Sequence, residues 1–325
     1  MRLLSVFALL FLYSLSVSAT SQSECGSVSY KKSMGKNRDQ GSTFYCGSFT
    51  AADLIGQKFG VGNRVSANHL VLHAYSSLVN LKKNPALSEY EFYKLQMNQR
   101  EVAPFTYVKD LKVALSERTW DYGITFGLYP DMAAFTYNAN GFICLDSDQD
   151  SSGSNLGFLE KDLANKLYNN QKTCSSDPNL LLDKPDEKTL SSLLEIARIE
   201  IASSCKKKKY LEEKDKIEPV TKGCYKDIKS ECLSNINEGL NKGRIVGISY
   251  NLGKLTPADS NSGFHASSIV SRRWNRKKNT CEFEIRNSYG SECSYYKEVL
   301  ECSEGNIWVS EDLLSEMILH TTYLK

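Results

Sequence analysis

Gln40-Gly41-Ser42-Thr43-Phe44-Tyr45-Cys46-Gly47-Ser48-Phe49-Thr50-Ala51-Ala52 places a cysteine six residues after a glutamine, with small and apolar residues directly behind it. Phe49, Ala52, Ile55 and Phe59 recur at helical spacing, and Gly60 and Gly62 follow. The stretch therefore predicts a buried helix over 46–59 with Cys46 at its N-terminus. A thiol there meets the positive end of the helix macrodipole, which favours the thiolate. Far downstream stand His265, at a strand start in Phe264-His265-Ala266, and Asn287, in Ile285-Arg286-Asn287-Ser288-Tyr289-Gly290. These are the groups that acyl transfer to a thiol requires. Cys46 can serve as the nucleophile, and His265 as the base that later protonates a leaving amine. Asn287 can orient the imidazole, while Gln40 and the Cys46 backbone N–H can supply donors to the oxyanion. Singly, each has a plain explanation: a disulfide thiol, a core histidine, a turn asparagine. Their combination in one order points to catalysis.

The chain has 325 residues, 41% of them hydrophobic and 24% charged, with a formal net charge of +2. That is enough apolar mass for a sizeable core in one large domain or two lobes. The small net charge gives no reason to expect nucleic acid or an anionic membrane as partner. Arg2, the apolar run Leu3 to Val17 and the small residues Val17-Ser18-Ala19 read as a signal peptide over 1–19. The mature chain is then expected to be soluble and secreted or periplasmic, with no membrane association after cleavage. No Asn-x-Ser/Thr sequon occurs, which favours the bacterial setting.

All ten cysteines follow the signal. Export and this number argue for disulfides, and the absence of any Cys-x-x-Cys pair argues against zinc ribbons and thioredoxin-like chemistry. If Cys46 is free, a second thiol must be left over. Cys293 and Cys302 flank a short loop and are expected to pair. Cys224 and Cys232 would be about 12 Å apart along a helix axis and could not bond if their segment is helical.

Along the chain, Val65-Ser66 begins a second expected helix with Ser66 as N-cap. Further helices are expected over 88–100 and 130–140. Asp146, Asp148 and Asp150 alternate in a polar loop. Ser151 and Gly157 stand where a calcium loop needs Gly and Glu, so a solvated loop is the better reading. Residues 155–243 read as helix-rich, with Lys206 to Lys209 as a solvated basic loop. Residues 244–251, 264–274 and 280–287 read as strands, with Arg276 to Asn279 as the turn between the last two. Helices lead and antiparallel strands follow, which gives an α+β protein.

These elements resemble the papain-like cysteine peptidases. Gln40 to Ile55 is similar to that family's segment from oxyanion glutamine through the catalytic cysteine and its helix. Val65-Ser66-Ala67 resembles its Leu-Ser-Glu element. Gly127-Leu128-Tyr129-Pro130 resembles its Gly-Gly-Tyr-Pro substrate strand, and Asn241 to Val246 its entry to the sheet. His265-Ala266 and Asn287-Ser288-Tyr289-Gly290 resemble the His-Ala and Asn-Ser-Trp-Gly elements. The resemblance covers most of 38–145 and 230–315. It implies a two-lobe fold, with an N-terminal helical lobe over about 38–145 and a C-terminal antiparallel sheet or barrel lobe over about 229–325. Together they form one peptidase domain over 20–325. It also implies catalytic roles for Cys46, His265 and Asn287, an oxyanion role for Gln40, and peptide binding along Gly127 and Leu128. The stretch from Cys46 to His265 exceeds the ~130–150 residues usual in that family. A helical insertion over about 146–228 accounts for the excess, either as bulk or as a lid or partner surface.

The departures are specific. Thr43 stands where the family has a disulfide cysteine, Gly47 where it has Trp, Tyr289 where it has the Trp that shields the Asn–His bond, and Leu128 where it has the second substrate-strand glycine. No long propeptide is expected ahead of Gln40. The expected function is an exported cysteine peptidase, acting as a monomer on peptides or proteins, with no cofactor or metal. His69 and His73 lack the intervening Glu and a third ligand for zinc. Gly47, Leu128 and the cysteine parity also admit an alternative, a catalytically inactive papain-like fold used as a binding module.

Overall fold

The helix that carries Cys46 is buried on every side, so its position decides the rest of the fold. The computed structural model describes residues 22–23, 25–40, 46–67, 69–70, 142–145, 205, 207–212, 215, 217–224, 229–257 and 263–325. Within it the helix α1 spans Cys46–Lys58, and Gly47 to Gly56 are all buried. A helix apolar all round belongs inside a protein. Its end is built by three bonds: Val61 N–H to Gly56 carbonyl (2.8 Å), Gly60 N–H to Gln57 carbonyl (3.1 Å) and Phe59 N–H to Ile55 carbonyl (3.0 Å). The first two make a Schellman motif, which needs the left-handed conformation that Gly60 adopts (φ 65°). Ser66 then caps the next helical turn, its hydroxyl accepting from the His69 N–H at 3.2 Å. The expected helices over 88–100 and 130–140 lie outside the described residues.

The strands in chain order are β1 (Val28–Ser29), β2 (Phe142–Cys144), β3 (Lys208–Tyr210), β4 (Pro219–Gly223), β5 (Val246–Asn251), β6 (Phe264–Asn275), β7 (Thr280–Arg286), β8 (Glu301–Ser303), β9 (Asn306–Ser310) and β10 (Ile318–Leu324). The main antiparallel sheet has the order β4-β10-β5-β6-β7-β9-β8. β5 pairs with β6 up to Ile269, a bulge follows, and β1 pairs beside Ser271 and Arg272. The N-terminal segment thus fills the place that β5 vacates. The helices α2 (Lys229–Asn241) and α3 (Glu311–Met317) complete the described elements used below.

Two cores flank this sheet. One collects Ile236 and Leu240 of α2, Leu314 and Met317 of α3, and Ile248, Ile269, Phe283 and Tyr323. The other collects Phe49, Leu54 and Ile55 of α1 with Val65, Leu70, Val270 and Leu324. Ile269 and Val270, and Tyr323 and Leu324, enter opposite cores because successive strand side chains alternate between faces. The architecture is α+β: an antiparallel sheet with α1 on one face and α2 and α3 on the other.

Three expectations need correction. Within the span expected to be helix-rich, Lys208–Tyr210 and Pro219–Gly223 are strands, and the basic run ends in β3 rather than a loop. β4 joins the main sheet through β10, so the sheet begins before residue 229. Cys224 and Cys232 are bonded, because the helix begins only at Lys229 and Cys224 lies before it, at the end of β4. Among the described residues eight cysteines form four disulfides, Cys25–Cys281, Cys144–Cys205, Cys224–Cys232 and the expected Cys293–Cys302. Among the described residues Cys46 is the free cysteine, and no helix is long and apolar enough to cross a membrane.

Candidate active site

β6 begins at the exposed Phe264 and presents His265 on its second residue, almost completely buried. The segment after β7 presents Asn287, also buried. His265 Nε2 lies 2.6 Å from Asn287 Oδ1. Two further bonds fix which end of that amide is oxygen. The Ser288 backbone N–H, which can only donate, reaches Oδ1 at 2.7 Å, and Nδ2 donates to the Tyr296 hydroxyl. Oδ1 is therefore the acceptor, and the proton between the two rests on Nε2. The Ser267 hydroxyl also reaches Oδ1, at 3.3 Å, and is itself bonded to the Tyr250 hydroxyl at 3.0 Å. Tyr289 stacks on the imidazole with centroids 4.8 Å apart and planes 19° apart, while Tyr250 meets it edge-on at 5.7 Å.

Gln40 is bound into the same loop. Its backbone N–H donates to the Ser288 carbonyl (2.7 Å), the Gly290 N–H donates to the Arg38 carbonyl (2.8 Å), and Asp39 bridges Tyr289. The Ser288 hydroxyl donates to Gln40 Oε1, which makes Nε2 the donor end of the amide. Cys46 keeps part of its surface exposed. The amides of Ala266, Gly47 and Cys46 itself face its sulfur, so the thiol lies beside the residue that follows His265. Gly127 and Leu128 lie outside the described residues.

The electrostatics differ from the expectation of a depressed thiol. Burial pushes the Cys46 thiol up, and the three amides offset this only in part. The stabilisation of a thiolate at an exposed helix end, about 0.3–1 kcal/mol, is smaller than the desolvation of a buried charge. Burial likewise pushes His265 down to about 4, against the pull of the Asn287 bond. Burial thus favours the uncharged form of each group.

The His265 shift has a consequence for stability. Its folded pKa lies below the ordinary 6.5, so the unfolded chain binds the proton first as pH falls. The stabilisation is complete above about pH 6.5 and is lost as pH falls towards about 4, by roughly 3 kcal/mol. Denaturant midpoints at pH 7 and pH 4 test this: the difference between wild type and His265→Gln should shrink by about that amount.

Sequence reasoning passed over the groups that hold these residues. Asp53, on α1 two turns after Cys46, is clamped between Arg38 Nε (3.2 Å) and Arg286 Nε (3.0 Å), all three buried. Arg286 also donates to the Gly35 carbonyl (2.9 Å) and Asn37 Oδ1 (2.6 Å). One carboxylate within an otherwise apolar helix was the available signal, since a buried Asp implies a partner. His69, Cys144 and Cys205 also cluster, within 4.8 Å. The two sulfurs are joined as a disulfide, which removes the thiolates a metal would need.

No family model matches the chain, and no curated protein matches it. Solved structures similar to it include PepW from Lactobacillus rhamnosis, at 12% identity over 99% of this chain and 88% of that one, TM-score 0.47. A structure concerning the mite allergens Blo t 1 and Der p 1 is 13% identical over 96% and 73%, TM-score 0.44. The Amb a 11 cysteine protease of ragweed pollen, in its proform, is 13% identical over 95% and 66%, TM-score 0.42. Likenesses this slight carry no functional weight.

Proposed function

We propose that the chain is an exported, papain-like cysteine peptidase that hydrolyses peptide bonds through Cys46, His265, Asn287 and Gln40. The observation that carries this reading is the 2.6 Å bond from His265 Nε2–H to Asn287 Oδ1. It leaves Nδ1 as the basic nitrogen of the neutral ring, the state a general base needs. In the proposed reaction Cys46 gives its proton to Nδ1 as sulfur attacks the substrate carbonyl. The tetrahedral oxyanion is met by Gln40 Nε2–H and the Cys46 backbone N–H. His265 then returns the proton to the leaving amine, and water hydrolyses the acyl-thioester. The four disulfides support export into an oxidising compartment. Gly127 and Leu128 are proposed to line the peptide site of a monomer divided into helical lobe, insertion and sheet lobe.

The test is alkylation of the oxidised protein with a limiting thiol reagent, mapped by peptide mass spectrometry. Cys46 is expected to label at neutral pH and to lose most of that reactivity in His265→Ala. Cys46 labelling that ignores the histidine would refute the reading, as would Cys46 found in a disulfide.

A further inference from the structure

Cys144 at the end of β2 and Cys205 just ahead of β3 share their surroundings with His69, which follows the Ser66 cap. Their ligand atoms, two sulfurs and an imidazole nitrogen, lie within 4.8 Å of one another, and all three side chains are buried. As a disulfide the sulfurs offer no thiolate. Backbone bonds hold the three residues together independently of that disulfide. Cys144 stands opposite Lys208 in the β2–β3 ladder, and the Leu145 N–H donates to the Lys207 carbonyl at 2.8 Å. The Ser66 N–H donates to the Cys144 carbonyl at 3.0 Å, and the Ser66 hydroxyl accepts from the His69 N–H at 3.2 Å. The His69 ring meets Phe142 of β2 edge-on, with centroids 5.5 Å apart. Opening the S–S bond therefore leaves two thiols and an imidazole close together. We propose that His69, Cys144 and Cys205 form a thiol-gated zinc site. On reduction, the chain exchanges the Cys144–Cys205 bond for one Zn²⁺ held by the same two sulfurs and the His69 imidazole.

The ligand types select the cation. Two thiolates and an imidazole are donors that zinc takes, whereas magnesium and calcium take oxygen. Zinc–sulfur bonds of about 2.3 Å and zinc–nitrogen bonds of about 2.0 Å set the ligand atoms of a tetrahedral ion roughly 3.5–3.8 Å apart. The present 4.8 Å spread already brackets that spacing. The sulfurs, 2.03 Å apart when bonded, must separate to reach it, which is within reach of side-chain rotation on Cα atoms 5.8 Å apart. Charge favours the exchange too. Two buried thiolates alone are costly, but with Zn²⁺ and a neutral imidazole the cluster carries no net charge. The chemistry balances. A small dithiol gives two electrons and two protons to the S–S bond and closes to its own disulfide, and Zn²⁺ then displaces the two thiol protons to solvent. A fourth position is left for water. None of these groups belongs to the Cys46–His265 site, so the inference is independent of the peptidase reading. Zinc takes over the cross-link between β2, β3 and the Ser66 turn when the disulfide is open.

The test uses the full chain carrying Cys46→Ala, so that the free thiol cannot ligate. The folded protein is reduced with a dithiol, desalted without oxygen and titrated with Co²⁺ as a spectroscopic stand-in for zinc. Thiolate-to-cobalt absorption is expected, removed by stoichiometric Zn²⁺, with about two protons released per cation bound. His69→Ala should weaken binding at least about tenfold, the least that loss of even an outer-shell partner costs. His69→Phe, close in size and unable to ligate, serves if the alanine variant does not fold. Other reduced cysteines can also hold cobalt, so the location is read separately by peptide mass spectrometry. Zn²⁺ should protect Cys144 and Cys205 from alkylation, and the His69 variants should lose that protection. Absorption and protection that ignore His69 overturn the inference, as does zinc protection confined to other cysteines. A Cys144–Cys205 bond that the dithiol cannot open in the folded chain overturns it as well.

Discussion

Turnover of a fluorogenic peptide by the His265→Ala variant is expected to fall about a thousandfold at pH 7, within the 10²–10⁴ range typical of general acid–base catalysis. The reason is specific to this site. Burial pushes the Cys46 thiol above its ordinary range, so without a base the sulfur stays protonated at neutral pH. In the proposed mechanism the wild-type chain does not need a standing thiolate, since Nδ1 takes the proton as the sulfur attacks. The variant has lost that acceptor and the acid that later serves the leaving amine, so both halves of the reaction slow. The pH dependence separates the two states. Wild-type kcat/KM should rise as His265 loses its proton, near pH 4, and then level. The variant should instead climb with hydroxide towards and beyond pH 9. A variant that retains activity within tenfold of wild type, with an unchanged pH profile, would remove His265 from the mechanism.

How far the sequence reached can be judged residue by residue. The α+β class was legible because helical spacing leads the chain and β-rich runs bounded by turn residues close it. Phe49, Ala52 and Ile55 keep helical spacing, and 280–286 alternate polar and apolar residues after a turn closed by Asn279 with positive φ. The Gly60 terminator and the Ser66 cap were legible for the same reason, since each is a local device with a local signature. The Cys224–Cys232 bond was missed because its exclusion assumed a helix that begins five residues too late for the assumption to hold. β4 was missed because Pro219-Val220-Thr221-Lys222-Gly223 is half polar, and its strand state comes from pairing with β10, almost a hundred residues on. In the site, the types and order of Cys46, His265 and Asn287 were readable. The supporting groups were not, because Ser267, Ser288, Tyr250 and Tyr296 acquire their roles only when the chain folds back. The direction of the thiol shift was misjudged for a physical reason: a helix terminus is visible in a sequence, whereas desolvation is a property of the packed site.

Asp53→Ala is expected to destabilise the fold by about 3–5 kcal/mol, the cost of breaking a buried ion pair by removing one partner. Here the carboxylate serves two guanidiniums, Arg38 and Arg286, and its loss leaves two like charges facing each other out of water. Asp53→Asn is the sharper variant, because it keeps the size and an acceptor oxygen while deleting the charge. If charge is what matters, Asn should lose nearly as much as Ala in a denaturant titration. If Asn is within about 1 kcal/mol of wild type, shape and hydrogen bonding hold the site instead. The effect should also reach the chemistry. Arg286 is the residue before Asn287, and its guanidinium ties the chain at Gly35 and Asn37, just ahead of Gln40. Asp53 lies on the helix that begins with Cys46, about 10 Å along its axis. One carboxylate thus fixes the nucleophile's helix to the strand end that carries the imidazole's partner and to the segment that carries the oxyanion donor. A variant still folded at low temperature should therefore show a reduced kcat with little change in KM, since the contacts it loosens align reacting groups rather than bind the peptide.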